Sequence, residues 1–144
     1  MTKSTKLALC ETWFDRVWRK RDVGAIDDLL DTKALTHGLG AQACMGPEEF
    51  RAFYHALSNL VSDVDITIDK SVETGDWISV LCTVRAKRRD NGEPVVITGQ
   101  AMVRIEDGMI REAYNHFDLM GIFTACGLLP SDSFERCLDG QKVA

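Results

Sequence analysis

The sequence predicts an α+β domain in which helices pack across one face of a strongly curved antiparallel sheet. Three observations carry this prediction. Apolar residues recur at three- and four-residue steps in the first part of the chain, then switch to strict alternation. The alternating segments are joined by the short turns "ETGD", "DNGEP" and "EDG", which favour hairpins over helical crossovers. Two of these segments run to about 12 residues, longer than the usual strand, so the sheet is expected to bend. With no internal repeat or low-complexity linker, the chain reads as a single domain over 1–130 with a polar, mobile tail over 131–144.

Each element has its own signal. Residues 5–20 read as a helix, because Leu7, Cys10, Phe14 and Val17 recur at helical spacing and Trp13 and Trp18 widen the stripe. Asp22 is placed to cap a short second helix, "VGAIDDLL", through Leu30. "KALTHGLG" reads as a short strand entering a glycine-rich turn. Gly46-Pro47-Glu48-Glu49 is a helix start: proline suits the first turn, and acidic residues suit the positive end of the dipole. Phe50, Phe53, Tyr54, Leu57, Leu60 and Val61 follow at helical spacing, which leaves His55 facing solvent. Val64, Ile66 and Ile68 then alternate with Asp63, Asp65, Thr67 and Asp69, as a half-buried strand does. Three further strands are expected over Trp77–Arg88, Val95–Ile105 and Met109–Phe117. A last apolar helix runs from Leu119 to about Cys126, ended by Gly127.

Composition narrows the functional classes. A chain of 144 residues with 45% hydrophobic and 27% charged residues is ordinary for a globular protein with a proper core. Its formal charge of −5 argues against nucleic acid as a partner, since phosphate binding relies on a basic face. The one basic run, Arg85, Lys87, Arg88 and Arg89, reads as an exposed hairpin end. The apolar run near the N-terminus is too short and too interrupted for a leader or a membrane span, so a cytoplasmic protein without membrane contact is expected. The five cysteines are scattered with no CxxC pair, and His37, His55 and His116 are widely spaced, so neither disulfides nor a metal site is expected. Cys10 and Cys82 fall within apolar patterns and read as core. No phosphate-binding glycine motif is present, and no cofactor is expected.

The segments "DDLLDTKALTHGLG", "GPEEFRAFYHAL" and "IEDGMIREAYNHFDLMGIF" resemble the SnoaL-like polyketide cyclase group of the NTF2-like superfamily, over approximately residues 5 to 127. The resemblance implies a cone-shaped fold in which three N-terminal helices and the curved sheet enclose a pocket. It also implies a homodimer, because exposed sheet faces commonly pair in that superfamily. Members include polyketide cyclases, ketosteroid isomerases, epoxide hydrolases and non-catalytic binding modules, and fold alone does not choose among them.

Carried over residue by residue, the resemblance puts Asp118 in the place of the cyclase acid–base and His37 in that of a cavity-facing histidine. An Asp118–His37 pair would remove a proton α to a carbonyl and return it to the developing alkoxide. From the residues alone Asp118 has a second role open, as the N-cap of the helix beginning at Leu119. Tyr54, His116 and Asn115 are candidate orienting groups, Arg85 is another, and Trp13, Phe14, Trp18 and Trp77 are candidate apolar wall. Phe14 and a residue near Thr98 stand where ketosteroid isomerases hold oxyanion donors, which disfavours that reaction. Leu81 and Thr83 stand where limonene-type epoxide hydrolases need charged groups, so direct water attack on an epoxide is a lesser alternative. The leading expectation is a cofactor-independent cyclase or isomerase acting on a small hydrophobic carbonyl compound. The alternative is a non-catalytic ligand-binding or dimeric module, and the sequence leaves turnover open.

Overall fold

The computed structural model describes residues 3–40 and 44–143. Helix α1 (Thr5–Trp13) starts at Ser4, whose hydroxyl accepts the Leu7 N–H at 3.0 Å. It continues directly into a π-helical stretch, Phe14–Arg19. Bonding from i to i+5 stacks residues five apart, whereas an α-helix would rotate them by about 0.4 of a turn. Trp13 and Trp18 therefore meet the same partner: their rings lie 5.4 and 6.4 Å from that of Phe50.

Helix α2 (Gly24–Leu29) begins after Val23 without a side-chain cap, so Asp22 does not play the role expected of it. Its carboxylate instead accepts from the Arg16 guanidinium at 2.8 Å, an ion pair that holds Asp22 below the usual carboxylate range. Strand β1 (Leu30–His37) opens where α2 was expected to end. A two-residue strand, β2 (Cys44–Met45), is too short for alternation to reveal. Helix α3 (Pro47–Ser58) starts with Pro47, Glu48 and Glu49 in its first turn, as expected. Strands β3 (Val61–Thr74), β4 (Trp77–Arg88), β5 (Pro94–Glu106) and β6 (Met109–Phe117) follow, then helix α4 (Leu119–Ala125). The tail also departs from expectation, because residues Ser133–Leu138 form helix α5. Ser133 is buried there, and its hydroxyl donates to the Pro130 carbonyl at 2.6 Å.

The six strands form one sheet in the order β2-β1-β6-β5-β4-β3. All pairings are antiparallel except β1 with β6, which is parallel; β2, α3 and the β3–β5 meander lie between them, long enough for the crossover that a parallel pair needs. Register shifts in β3 between Ser62 and Asp65 and between Ile68 and Lys70 mark bulges, and another shift falls at Arg104/Ile105. Bulges bend a strand and raise its twist, which curves the sheet around the helices. One core cluster packs α1 to α3 on the sheet through Val17, Ile26, Phe50, Tyr54, Ile78 and Val80. A second joins α4 to the far end of β3–β5 through Val61, Ala86, Val95, Ile97 and Ile122. Cys10 and Cys82 are buried in the first.

The basic run closes this far end. Arg89 donates to the Ser58 and Val61 carbonyls at 2.8 and 3.1 Å, and Arg88 pairs with Asp90 at 2.8 Å. Among the described residues no helix is long and apolar enough to cross a membrane.

Candidate functional site

Between the two core clusters lies a cavity of about 110 Å³. Trp13, Phe14, Trp18 and Phe50 close it from the helices. Val80, Ile97, Ala101 and Val103 form its sheet wall, and Phe117, Leu119 and Ile122 complete it. Phe117 packs against both clusters, and it lies flat over β5 because Gly99 is opposite. A Cβ on Gly99 would stand 2.2 Å from the Phe117 ring.

Polar groups in this wall are few. Thr36, Asn115, the Cys10 thiol and the indole-bearing Trp13 and Trp18 line it, and no charged side chain does among the described residues. Burial pushes the Cys10 thiol up to about 12, so it stays neutral. Thr36 is 5% exposed. The Asn115 carboxamide donates to the His37 carbonyl at 3.1 Å. This clasp needs a close approach of β1 to β6: Gly38 has φ +85°, and a Cβ there would fall 1.9 Å from the Asn115 carbonyl oxygen.

Of the residues expected at the site, Trp13, Phe14, Trp18 and Asn115 line the cavity, whereas His37, Tyr54, His116, Asp118 and Trp77 do not. Each exception has a physical reason. In β1 the inward residues are Ala34 and Thr36, leaving Leu35 at 46% exposure and His37 on the outer face. There His37 stacks on Tyr114 with ring centroids 4.5 Å apart and planes 8° from parallel. The Tyr114 hydroxyl donates to Glu112 at 2.8 Å, and Glu112 accepts from Arg104 at 2.7 Å. These partners, Arg104 foremost, hold Glu112 below the usual carboxylate range. Trp77 belongs to the same outer row, 6.2 Å from Tyr114.

His116 is exposed opposite Gln100, because Ala113, Asn115 and Phe117 take the inward positions of β6. Tyr54 is 1% exposed and committed to the core, where its hydroxyl donates to the Val17 carbonyl at 2.9 Å. Asp118 is exposed and caps α4, accepting the Gly121 N–H at 2.9 Å. Its sequence neighbours Phe117 and Leu119 both line the cavity, so the carboxylate sits beside the wall.

The remaining expectations can be placed as well. Arg85, His55 and Thr98 are exposed. Leu81 is exposed on the outer face, and the Thr83 hydroxyl donates to Asp69 at 2.6 Å. Among the described residues, neither the positions of the isomerase donors nor those of the epoxide-hydrolase trio bring a charged group into the cavity. Among the described residues no cluster of His, Cys, Asp or Glu is placed to hold a metal ion. Thr36 is a polar lining residue that sequence reasoning passed over. Its signal was the short side chain at Ala34, which places Ala34 and Thr36 on one face of the strand.

Comparison with known proteins comes to the same architecture. No curated protein matches the chain. IdmH from Streptomyces antibioticus, provisionally assigned as a polyketide cyclase, is similar at 18% identity, with 87% of this chain and 99% of that chain covered and a TM-score of 0.74. TsrD from Streptomyces laurentii is similar at 20% identity over 90% and 99% of the two chains, with a TM-score of 0.71. A protein from Catenulispora acidiphila with a ketosteroid isomerase-like fold, crystallised with trimethylamine, gives 18% identity over 92% and 98%, with a TM-score of 0.71. Identities this low establish the fold alone. The profile of the SnoaL-like domain matches residues 10–113, from within α1 through α2, α3 and the strand carrying Thr36 into β6. On that match, the chain belongs to the SnoaL-like domain family.

Proposed function

We propose that the protein binds a small, neutral, hydrophobic molecule inside the cone, as a ligand-binding SnoaL-like module. The observation that carries this reading is the wall itself, almost wholly apolar and free of charged side chains among the described residues. An ion entering such a wall would lose its hydration without gaining a partner, at a cost of several kcal/mol. Size points the same way. An apolar protein cavity of about 150 Å³ stays dry and accepts benzene, whereas drug-sized ligands occupy roughly 300–1,000 Å³. The present 110 Å³ suits a single ring and is too small for a fused polycycle.

The test is an NMR titration with toluene. Saturable shifts confined to the methyls of Val80, Ile97, Val103 and Ile122 support the reading. No saturation, or shifts only at the outer-face methyls of Val72 and Val96, overturns it.

A second reading, a cofactor-independent cyclase or isomerase acting on a small hydrophobic carbonyl compound, is favoured by the place of Asp118 between two cavity-lining residues. In it Asp118 alone moves the proton, and His37, on the far side of the sheet, takes no part. Deuterium exchange α to the carbonyl of cyclohexanone in D2O, lost in Asp118→Asn, would favour this second reading. Exchange equal to buffer in wild type would leave binding alone.

We also propose a homodimer through the outer sheet face, where Leu35, Leu81, Met102 and Tyr114 are 46, 41, 45 and 39% exposed. Exposed apolar residues grouped on one face mark an interaction surface. A dimeric mass in solution scattering, reduced to monomer by Met102→Glu, is the expected result. A monomeric wild type at micromolar concentration refutes it.

A further inference from the structure

Two polar side chains line the cavity from neighbouring strands, and they narrow what the guest must carry; this inference rests on reading the cone as a ligand chamber. Thr36 and Asn115 sit on neighbouring strands. Thr36 pairs with Ala113, so Asn115 lies two positions further along on the same inward face. Among the described residues the Thr36 side chain makes no hydrogen bond, although the residue is 5% exposed. Among the described residues the one fully buried side-chain nitrogen or oxygen without a partner is Arg111 Nε, so the Thr36 oxygen is not sealed in the core but keeps access to the cavity it lines. The Asn115 carboxamide spends one N–H on the His37 carbonyl, which orients the group and leaves its Oδ1 as an open acceptor. Both residues are held in place, because Gly38 lets β1 press against the Asn115 backbone. A hydroxyl without a protein partner and a carboxamide with a free acceptor thus line the same otherwise apolar chamber from adjoining strands, and among the described residues no charged side chain lines it.

We infer that the guest carries a single hydroxyl group lodged between Thr36 and Asn115, which makes these two residues the specificity-determining pair of the cavity. The guest's O–H donates to Asn115 Oδ1, and its oxygen accepts from the Thr36 hydroxyl. The matching class is a small neutral alcohol or phenol; carboxylic acids in their ionised form are excluded, because the wall offers no counter-charge.

The experiment compares three single-ring probes, phenol, toluene and benzoate, by NMR titration of the wild type, Thr36→Val and Thr36→Ser. Phenol and toluene are near in shape, and water retains phenol more strongly. Phenol binding at least as tight as toluene therefore requires a partner in the cavity. The expected results are that balance in wild type, no saturable binding of benzoate, and phenol affinity reduced at least about fivefold in Thr36→Val. Toluene affinity should stay unchanged in Thr36→Val, and the serine variant should restore phenol binding.

An equal loss for both probes in Thr36→Val, or a phenol preference that survives it, overturns the assignment. If Thr36→Val does not fold, the wild-type ratio decides, and toluene saturating without phenol overturns the polar pair while leaving the chamber intact. If neither probe saturates, the chamber reading and this inference fall together.

Discussion

Replacing Tyr54 with phenylalanine tests whether this residue serves the core or a ligand. Its hydroxyl donates to the Val17 carbonyl at 2.9 Å, and both residues are buried, at 1 and 0% exposure. Val17 lies in the π-helical stretch, where the neighbouring N–H groups are already spent. Lys20 N–H bonds Asp15 and Asp22 N–H bonds Arg16, both at 2.8 Å. The phenylalanine ring fills the same volume, so no cavity forms, but the Val17 carbonyl loses the hydroxyl. Leaving a buried acceptor unsatisfied costs about 1–3 kcal/mol. For a chain of this length that corresponds to a melting point lowered by roughly 3–10 °C. Urea unfolding with an unchanged m-value would measure it directly. A loss below about 0.5 kcal/mol, the level of an ordinary surface change, would refute the argument. Toluene affinity should not move, since Tyr54 lies outside the cavity wall; about a tenfold weakening there would return Tyr54 to the binding site.

The remaining predictions concern other parts of the molecule. Asp118→Ala should lose about 1 kcal/mol by uncapping α4, whereas Asp118→Asn, still able to accept the Gly121 N–H, should lose little in the same denaturant assay. Thiol titration with Ellman's reagent at pH 8 should find Cys44 and Cys137 reacting in the native protein, and Cys10, Cys82 and Cys126 only after unfolding. Burial pushes Cys10 and Cys82 up to about 12, so fast labelling of either would contradict the packing. Acidification should weaken the fold through groups whose carboxyls are depressed in the native state. Lys20 and Arg19 lower Asp15, the Lys33 N–H and Arg111 lower Asp31, and Arg88 lowers Asp90. The stability these groups add is present above the ordinary carboxylate range and is lost as pH falls through it and below. The urea midpoint should therefore drop from about pH 5 downward, less steeply in 1 M salt; a midpoint that rises on acidification would reverse the sign of the argument.

The order of elements was legible because periodicity is a local property. Helical spacing in residues 5–20 and 50–57, alternation in residues 63–69, and the "DNGEP" and "EDG" turns each depend only on neighbours along the chain. Leu60 and Val61, expected to continue the third helix, lie beyond its end at Ser58, and Val61 opens β3. Even the π-helical stretch left a trace, in the pair Trp13 and Trp18 set five residues apart. The apolar wall was legible for the same reason, since Trp13, Phe14 and Trp18 lie on the stripe.

What the sequence alone determined is a set of elements, their chemistry and the family they belong to. What only the tertiary structure decided is the direction in which each polar side chain points. In β1 the apolar Leu35 would place itself and His37 inward, yet Ala34 and Thr36 face the core because β1 lies parallel beside β6 in a register set by Gly38 and Asn115. A shift of one residue exchanges the two faces of a strand, so the imidazole went outward and the threonine hydroxyl came in. Asp118 likewise met a helix start whose free N–H groups claimed its carboxylate. Local pattern names the groups available, and long-range pairing, which no short window contains, decides which of them share a chamber.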